Sequence, residues 1–329
     1  MSHYPDFDSL PKVDRQPQGN AWGLWGKDDE YGTLNYLTPD VVRNAAQEIK
    51  AGVSIQLDLS LDYFDYRIGG REAFEHRIKD FKEPSESNNI NLYAHDDVVT
   101  FNTQSSSQWD GLRHVGLQKT GTYYQGLQHS DIDNKRHDGR LGIHRWVERG
   151  GIVGRGVLLD YFGWRQQTGQ PPVAANSASA ISTEELEAVA KHQDTEFHVG
   201  DILIIRSGFL QWYQHASKED QVESLDKYAF IGVESSMNSV KWLWNHHFAA
   251  VAGDTIGFEC NPVDFNDEGV VKLHEWLLAH WGTPIGELWD LERLAEVCRE
   301  RNQWSFFLTS APLNVFGGVG TPPNVIAIL

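Results

Sequence analysis

The chain has 329 residues, 40% of them hydrophobic and 22% charged, which suits an ordinary folded core and not wholesale disorder. Its formal net charge of −18 argues against nucleic acid or an anionic membrane as a partner. No apolar run approaches the roughly 18 to 20 residues of a membrane span. The N-terminus lacks the basic start and apolar stretch of a signal peptide, so a reducing cytoplasmic setting is expected. With two cysteines, Cys260 and Cys298, a disulfide framework is not expected.

Residues 1–20 are polar and proline-containing and read as an arm, lying on a neighbouring subunit or free. Thr38-Pro39 predicts a helix start, with Val41, Val42, Ala45, Ala46 and Ile49 as its apolar face and Gly52 as its end. Ile55, Leu57, Leu59 and Leu61 alternate with polar residues, as in a half-buried strand. Residues 64–95 show no period and read as a long loop or small insertion. Val98, Val99 and Phe101 mark a strand, and Ile152 to Asp160 another.

Ser182 and Glu185 form a capping-box pattern before a helix to about His192. Ile202-Leu203-Ile204-Ile205 predicts a strand buried on both faces. Helices are then expected from about Val233 to His247, from Val270 to Trp281 and from Asp290 to Arg301. Short strands close the pattern at Phe248–Asp254, Trp304–Ser310 and Asn324–Leu329. Cys298 shares an apolar helical face with Leu291, Leu294 and Ala295, which predicts a buried thiol. Strands and helices alternate without a linker or a repeat, so one α/β domain with a mixed sheet and flanking helices is expected.

Two clusters carry chemistry. The first runs from Gln104 to His114 and holds Gln104, Gln108, Trp109, Asp110 and His114. A carboxylate and an imidazole four residues apart, flanked by amides, can hold a metal or relay a proton. A hydrogen-bonded turn with a surface histidine has the same pattern. The second cluster holds His274 and Glu287. Val270, Leu273, Leu277 and Trp281 share a helical face and His274 falls beside it, as a metal ligand or as a core histidine satisfied by hydrogen bonds. His129, His137 and His144 lie in polar stretches, and His246-His247 ends a helix. Trp25, within Trp22-Gly23-Leu24-Trp25-Gly26, is a candidate binding lip or a core residue. No G-x-S-x-G, P-loop, H-E-x-x-H or paired C-x-x-C motif is present, and Gly317-Gly318-Val319-Gly320 opens no helix.

The two clusters, in this order, resemble the cyclase family that includes bacterial kynurenine formamidase and isatin hydrolase. Trp25-Gly26-Lys27-Asp28-Asp29-Glu30-Tyr31-Gly32-Thr33-Leu34-Asn35, the stretches Ile152–Asp160 and Gly200–Gly208, and the terminal Pro312–Leu329 segment are similar to that family as well. The resemblance covers most of the chain and implies a cyclase-like α/β domain of the swivelling β/β/α type over 21–329. Metal-dependent members carry H-x-G-T-H-x-D-x-P-x-H, then a later His and Glu, and use activated water to open amides, formamides or lactams. Here Gln104 and Gln108 stand where the first two histidines belong, and Leu112 replaces the proline. Asp110, His114, His274 and Glu287 match. The combination resembles a glutamine-containing branch of the family.

The resemblance implies Asp110, His274 and Glu287 as metal ligands, and His114 with Asp110 as catalytic residues. Gln104, Gln108, Trp109 and Trp25 are then substrate-binding candidates. Carboxamide oxygens are weak, hard donors, so the set suits one divalent ion, Mn²⁺ before Zn²⁺, or no metal at all. Three readings follow: a hydrolase of a C–N bond or related ester, a metal-free cyclase, isomerase or lyase using His114, and a non-catalytic small-molecule binding protein. A homo-oligomer is expected.

Overall fold

The computed structural model describes residues 4–64, 68–82, 91–132 and 138–329. Its strands are β1 (Ser54–Gln56), β2 (Glu75–Asp80), β3 (His95–Thr100), β4 (Gln108–Asp110), β5 (Ile152–Leu159), β6 (Ala180–Ile181) and β7 (Ile202–Ile205), followed by β8 (Gly232–Val233), β9 (Ala250–Gly253), β10 (Ile285–Glu287), β11 (Ser305–Ser310), β12 (Gly320–Thr321) and β13 (Val325–Ile328). Nine of them form one sheet in the order β1-β13-β11-β5-β7-β9-β10-β4-β12. Its centre, β5-β7-β9-β10, is parallel, and both flanks are antiparallel, so the sheet is mixed as the sequence predicts. Every residue of β7 and β9 is buried, the signature of strands covered on both faces.

The helices follow their caps. Thr38 accepts a bond from the Val41 amide and starts Pro39–Ala45, where Ala45 is the buried contact and Ile49 stays exposed. Ser182 and Glu185 cap each other's backbone at the start of Thr183–His192, the reciprocal box the sequence predicts. The helix expected from Val233 begins instead at Met237, capped by Ser236 and ending at Asn245. Val233 is taken by β8, whose pairing with β6 outweighs its helical spacing. The helix expected from Asp290 spans Glu292–Arg301 and buries Cys298 completely. Neither cysteine is in a disulfide, and burial pushes both thiols up, so neither is poised as a nucleophile.

Two expectations are corrected. The α-helix over Val270–Trp281 is a π-helix over Glu275–Trp281, preceded by one turn at Leu273-His274. Residues Trp276 to Trp281 are all buried. The stretch 64–95 is not a plain loop. β2 pairs with β3 from Glu75–Thr100 to Asp80–His95, forming a solvent-exposed ribbon apart from the main sheet. Its remaining residues 65–67 and 83–90 lie outside the described set.

The N-terminal segment packs on its own chain. Phe7 is buried against Trp276, with ring centroids 5.4 Å apart, and its amide donates to Asn245. Trp244 and Trp281 donate their indole N–H groups to the Pro5 and Gly19 carbonyls. Among the described residues no helix is long and apolar enough to cross a membrane.

Candidate active site

Strand pairing assembles the site. β4 runs antiparallel to β10, so Gln108 faces Glu287 and Asp110 faces Ile285. Side chains two apart on a strand share a face. Gln108 and Asp110 therefore project to the same side, where Glu287 joins them across the ladder. The Gln104–His114 cluster is thus partly a strand within the sheet. Immediately after Glu287, Leu288 takes a left-handed conformation (φ 55°) while fully buried. Such a conformation costs a branched residue about 1 kcal/mol or more. It is held by the Leu288 amide donating to the Thr255 carbonyl and by the Ser107 hydroxyl donating to the Leu288 carbonyl.

The polar groups form one connected network. Gln104 Nε2 donates to Asp110 Oδ1 at 2.7 Å. Gln108 Nε2 donates to Gln104 Oε1 at 2.9 Å and to Glu287 Oε2 at 2.6 Å. Gly320, opposite Asp110 on β12, leaves the room this requires, since a Cβ there would lie 2.8 Å from Gln104 Nε2. His274 arrives from the turn before the π-helix. Its Nε2 lies 3.1 Å from Glu287 Oε1 and 3.5 Å from Asp110 Oδ2, and its Nδ1 lies 2.5 Å from Glu259 Oε2. His114 Nε2 stands 3.9 Å from Asp110 Oδ1.

Electrostatics divide the titrating groups by role. Burial alone would neutralise His274, but Glu259, Asp110 and Glu287 together raise its pKa well above the usual value. Burial lowers the pKa of His114 against the pull of Asp110, and the charges of His274 and Arg71 add to the lowering, so His114 is neutral at pH 7 and able to accept a proton. Burial would raise Asp110, yet His114, His274 and Gln104 hold it below the usual carboxylate range. Glu287 is raised to about 7, by burial first and then by the charge of Asp110. Of the two adjacent carboxyls, Glu287 is thus the one that carries a proton near neutrality.

Asp110, His274 and Glu287 each offer a ligand atom, all within 4.8 Å of one another. Asp110 Oδ2 is buried with no hydrogen-bond partner among the described residues, and Gln108 Oε1 is likewise unpartnered. The Glu259 carboxylate at His274 Nδ1 is the arrangement that fixes a ligating imidazole with Nε2 outward. One nitrogen and two carboxylate oxygens suit a hard or borderline divalent ion, so the residues present fit one.

Gln104, Gln108, Asp110, His114, His274 and Glu287 lie together in the fold. Two aromatic candidates are misplaced. Trp109 is wholly buried on the opposite face of β4, edge-on to Trp289 at 4.8 Å and donating to Ser310 Oγ, because strand alternation turns it away from Gln108 and Asp110. Trp25 packs on Tyr36 and Trp244, away from the cleft. His129 and His144 bond locally, to Tyr123 and to the Gly317 amide, and His137 lies outside the described residues.

Sequence reasoning missed Glu259. Its signal was a lone carboxylate between the apolar Phe258 and Cys260, in a segment that bridges to β8 at Val233. It also missed the cleft wall. His114, Glu259, His274 and Glu287 open onto a cleft of about 140 Å³, whose other walls include Arg71, Tyr228, Phe230, Ile256 and Phe265.

The cyclase family model, described as "Putative cyclase", matches residues 54–260. The crystal structure of a novel cyclase superposes with a TM-score of 0.81 at 29% identity, over 94% of this chain and 99% of the other. Isatin hydrolase A from Labrenzia aggregata, bound to benzyl benzoate, superposes with a TM-score of 0.54 at 14% identity, over 90% and 98%. An isatin hydrolase bound to the product analogue thioisatinate gives 0.55 at 12% identity, over 90% and 98%. At those identities the two hydrolases share the fold with this chain. No curated protein matches the sequence.

Proposed function

The chain belongs to the cyclase family, and from that premise we propose that it is a hydrolase opening an amide, lactam or formamide C–N bond, or a related ester. The observation that carries this reading is the convergence of Asp110, His274 and Glu287 within 4.8 Å, with a neutral His114 beside them on one cleft. The isatin hydrolases that share the fold act on a bond of this kind, as their name says.

Asp110, His274 and Glu287 would hold a divalent ion, with Glu259 fixing the imidazole. The chemistry such an ion supplies when bound is Lewis-acid activation of water. His114 takes a proton from the attacking water as its oxygen adds to the acyl carbon. The C–N bond then breaks, its electron pair stays on nitrogen, and His114 returns the proton there. Asp110 stabilises the transient imidazolium of His114 from 3.9 Å. Gln104 and Gln108 hold the carboxylates in place through their amide N–H groups.

One observation favours a second reading, a metal-free cyclase, isomerase or lyase using His114. Amide N–H groups and the His274 imidazole already occupy positions on the carboxylates that a cation would otherwise neutralise. Metal analysis of protein purified without chelator separates the two, and about one ion per chain is expected. A panel of lactams, formamides and aryl esters followed by absorbance tests the hydrolase reading. His114→Ala should cut turnover by about 10²- to 10⁴-fold. Turnover unchanged in that variant would remove His114 from the mechanism.

A further inference from the structure

The cleft is lined by the carboxylates of Glu259 and Glu287, with the buried Asp110 3.5 Å from His274, in a chain of net charge −18. Against that background one wall presents a guanidinium. Arg71 follows Gly69 and Gly70, whose positive φ values of 59° and 75° turn the chain there, and it lines the cleft with His114 and Tyr228. Its Nη1 donates to the Ile68 carbonyl at a long 3.4 Å, and its side chain hydrogen-bonds that of Tyr228. Among the described residues no carboxylate forms an ion pair with it, although arginines elsewhere in the fold, such as Arg155 and Arg206, each bind two. Arg71 also acts on both neighbours through space. Burial pushes Tyr228 up while Arg71 pulls it down, and Arg71 adds to the lowering of His114.

We propose that Arg71 is a specificity-determining residue of the cleft, and that the substrate is a small amide or lactam bearing a free carboxylate away from the scissile bond. This rests on the hydrolase reading above. A planar guanidinium fork matches a carboxylate in two parallel hydrogen bonds, and the Tyr228 hydroxyl beside it supplies another donor. With its carboxylate on Arg71 and Tyr228, such a substrate leaves its amide end to His114, which lines the same cleft. Phe230, Ile256 and Phe265 line the space between the two ends and suit an apolar, ring-sized body.

The test compares matched probes that differ only in charge: N-acetyl-L-phenylalanine against its primary amide, and 3-phenylpropionate against 3-phenylpropionamide. Each is titrated calorimetrically into the purified full-length protein and its variants. The carboxylate of each pair should bind about tenfold more tightly or better than its amide. In Arg71→Met the two should bind within about twofold of each other, and Arg71→Lys should keep part of the preference because it keeps the charge. Arg71→Gln serves as a second neutral variant, and circular dichroism checks the fold of each. Equal binding of acid and amide by the wild type, an undiminished preference in both neutral variants, or no binding of either carboxylate at millimolar concentration would overturn the proposal. Binding is read without turnover, so the two readings fail separately. Carboxylate preference in a protein that hydrolyses nothing on the panel removes the hydrolase alone, and hydrolysis without carboxylate preference removes the role of Arg71 alone.

Discussion

His274 and His280 sit at the two ends of one π-helical segment, both largely buried, and titrate in opposite directions. His274 has a carboxylate at each ring nitrogen, from Glu259 on one side and from Glu287 and Asp110 on the other, and is held protonated. His280 has the Asn20 amide at Nδ1 and the Trp276 ring at 4.4 Å, and burial drives its pKa down to about 3. The core histidine satisfied by hydrogen bonds that the sequence offers as one reading of His274 exists, six residues further on. Burial penalises the charge at both positions, and the facing side chains decide the sign. What sets His274 apart is therefore the three acids from β4, β10 and the segment after β9 that meet it.

The largest way to break this comparison is to remove the cation from the acids. In chelated protein, His274→Asn leaves Asp110, Glu259 and Glu287 buried without their countercharge. Loss of one partner from a buried pair costs about 3–5 kcal/mol, and urea denaturation should show a loss of that size. A loss under about 1 kcal/mol would mean that the acids are neutral and the imidazolium network is absent. A second route is Glu259→Gln, which keeps the shape and removes one charge. Histidine NMR should show the His274 titration moving to lower pH, since Glu259 is the largest influence raising it. In metal-loaded protein the same variant should weaken metal affinity about 10- to 100-fold, because the imidazole loses its orienting acceptor.

The third prediction concerns pH. His280 has a folded pKa depressed from about 6.5 to about 3, so its neutral form contributes stability that is full above pH 6.5 and is lost as pH falls toward 3. Between pH 7 and pH 5 that amounts to about 2 kcal/mol. The pH dependence of unfolding should shrink by that amount in His280→Gln. His274 has the opposite sign. Its raised pKa gives a contribution that is full below about 6.5 and fades as pH rises through the folded value. The smallest effect is expected for Asn20→Ala. It removes one neutral hydrogen bond to His280, costing about 1 kcal/mol, and should leave the cleft chemistry untouched.

How much of this was legible depended on whether a residue's role is written in its neighbours along the chain. Capping at Thr38 and Ser182 is local, and both helices start where the sequence puts them. Gln104, Gln108, Asp110 and His114 lie within eleven residues and could be read as a unit. Glu259 and Arg71 act across folded distance, from segments with no period, and became visible only when β4, β10 and the cleft wall were assembled. Trp109 is turned from the site by lying on a strand. Read as a strand, Gln108 and Asp110 on one face place Trp109 on the other by alternation alone. The π-helix was hidden for a related reason. Leu273, Leu277 and Trp281 are four apart, a spacing shared by an α-helical stripe and a wider turn.

The two-sidedness of β4 has a consequence for how such a protein can diversify. Its back face is fastened by Trp109 against Trp289 and Ser310, and its register is set by backbone pairing with β10 and β12. Neither depends on what stands at Gln108 or Asp110. The strand is therefore a permissive bench for new reactivity. A lineage can exchange donors on the front, imidazole for amide or the reverse, without touching the strand's register or its back face, provided the buried network stays paired. The tolerance ends at Gly320, where any side chain would crowd Gln104 and make the neighbouring strand answerable to the front face as well.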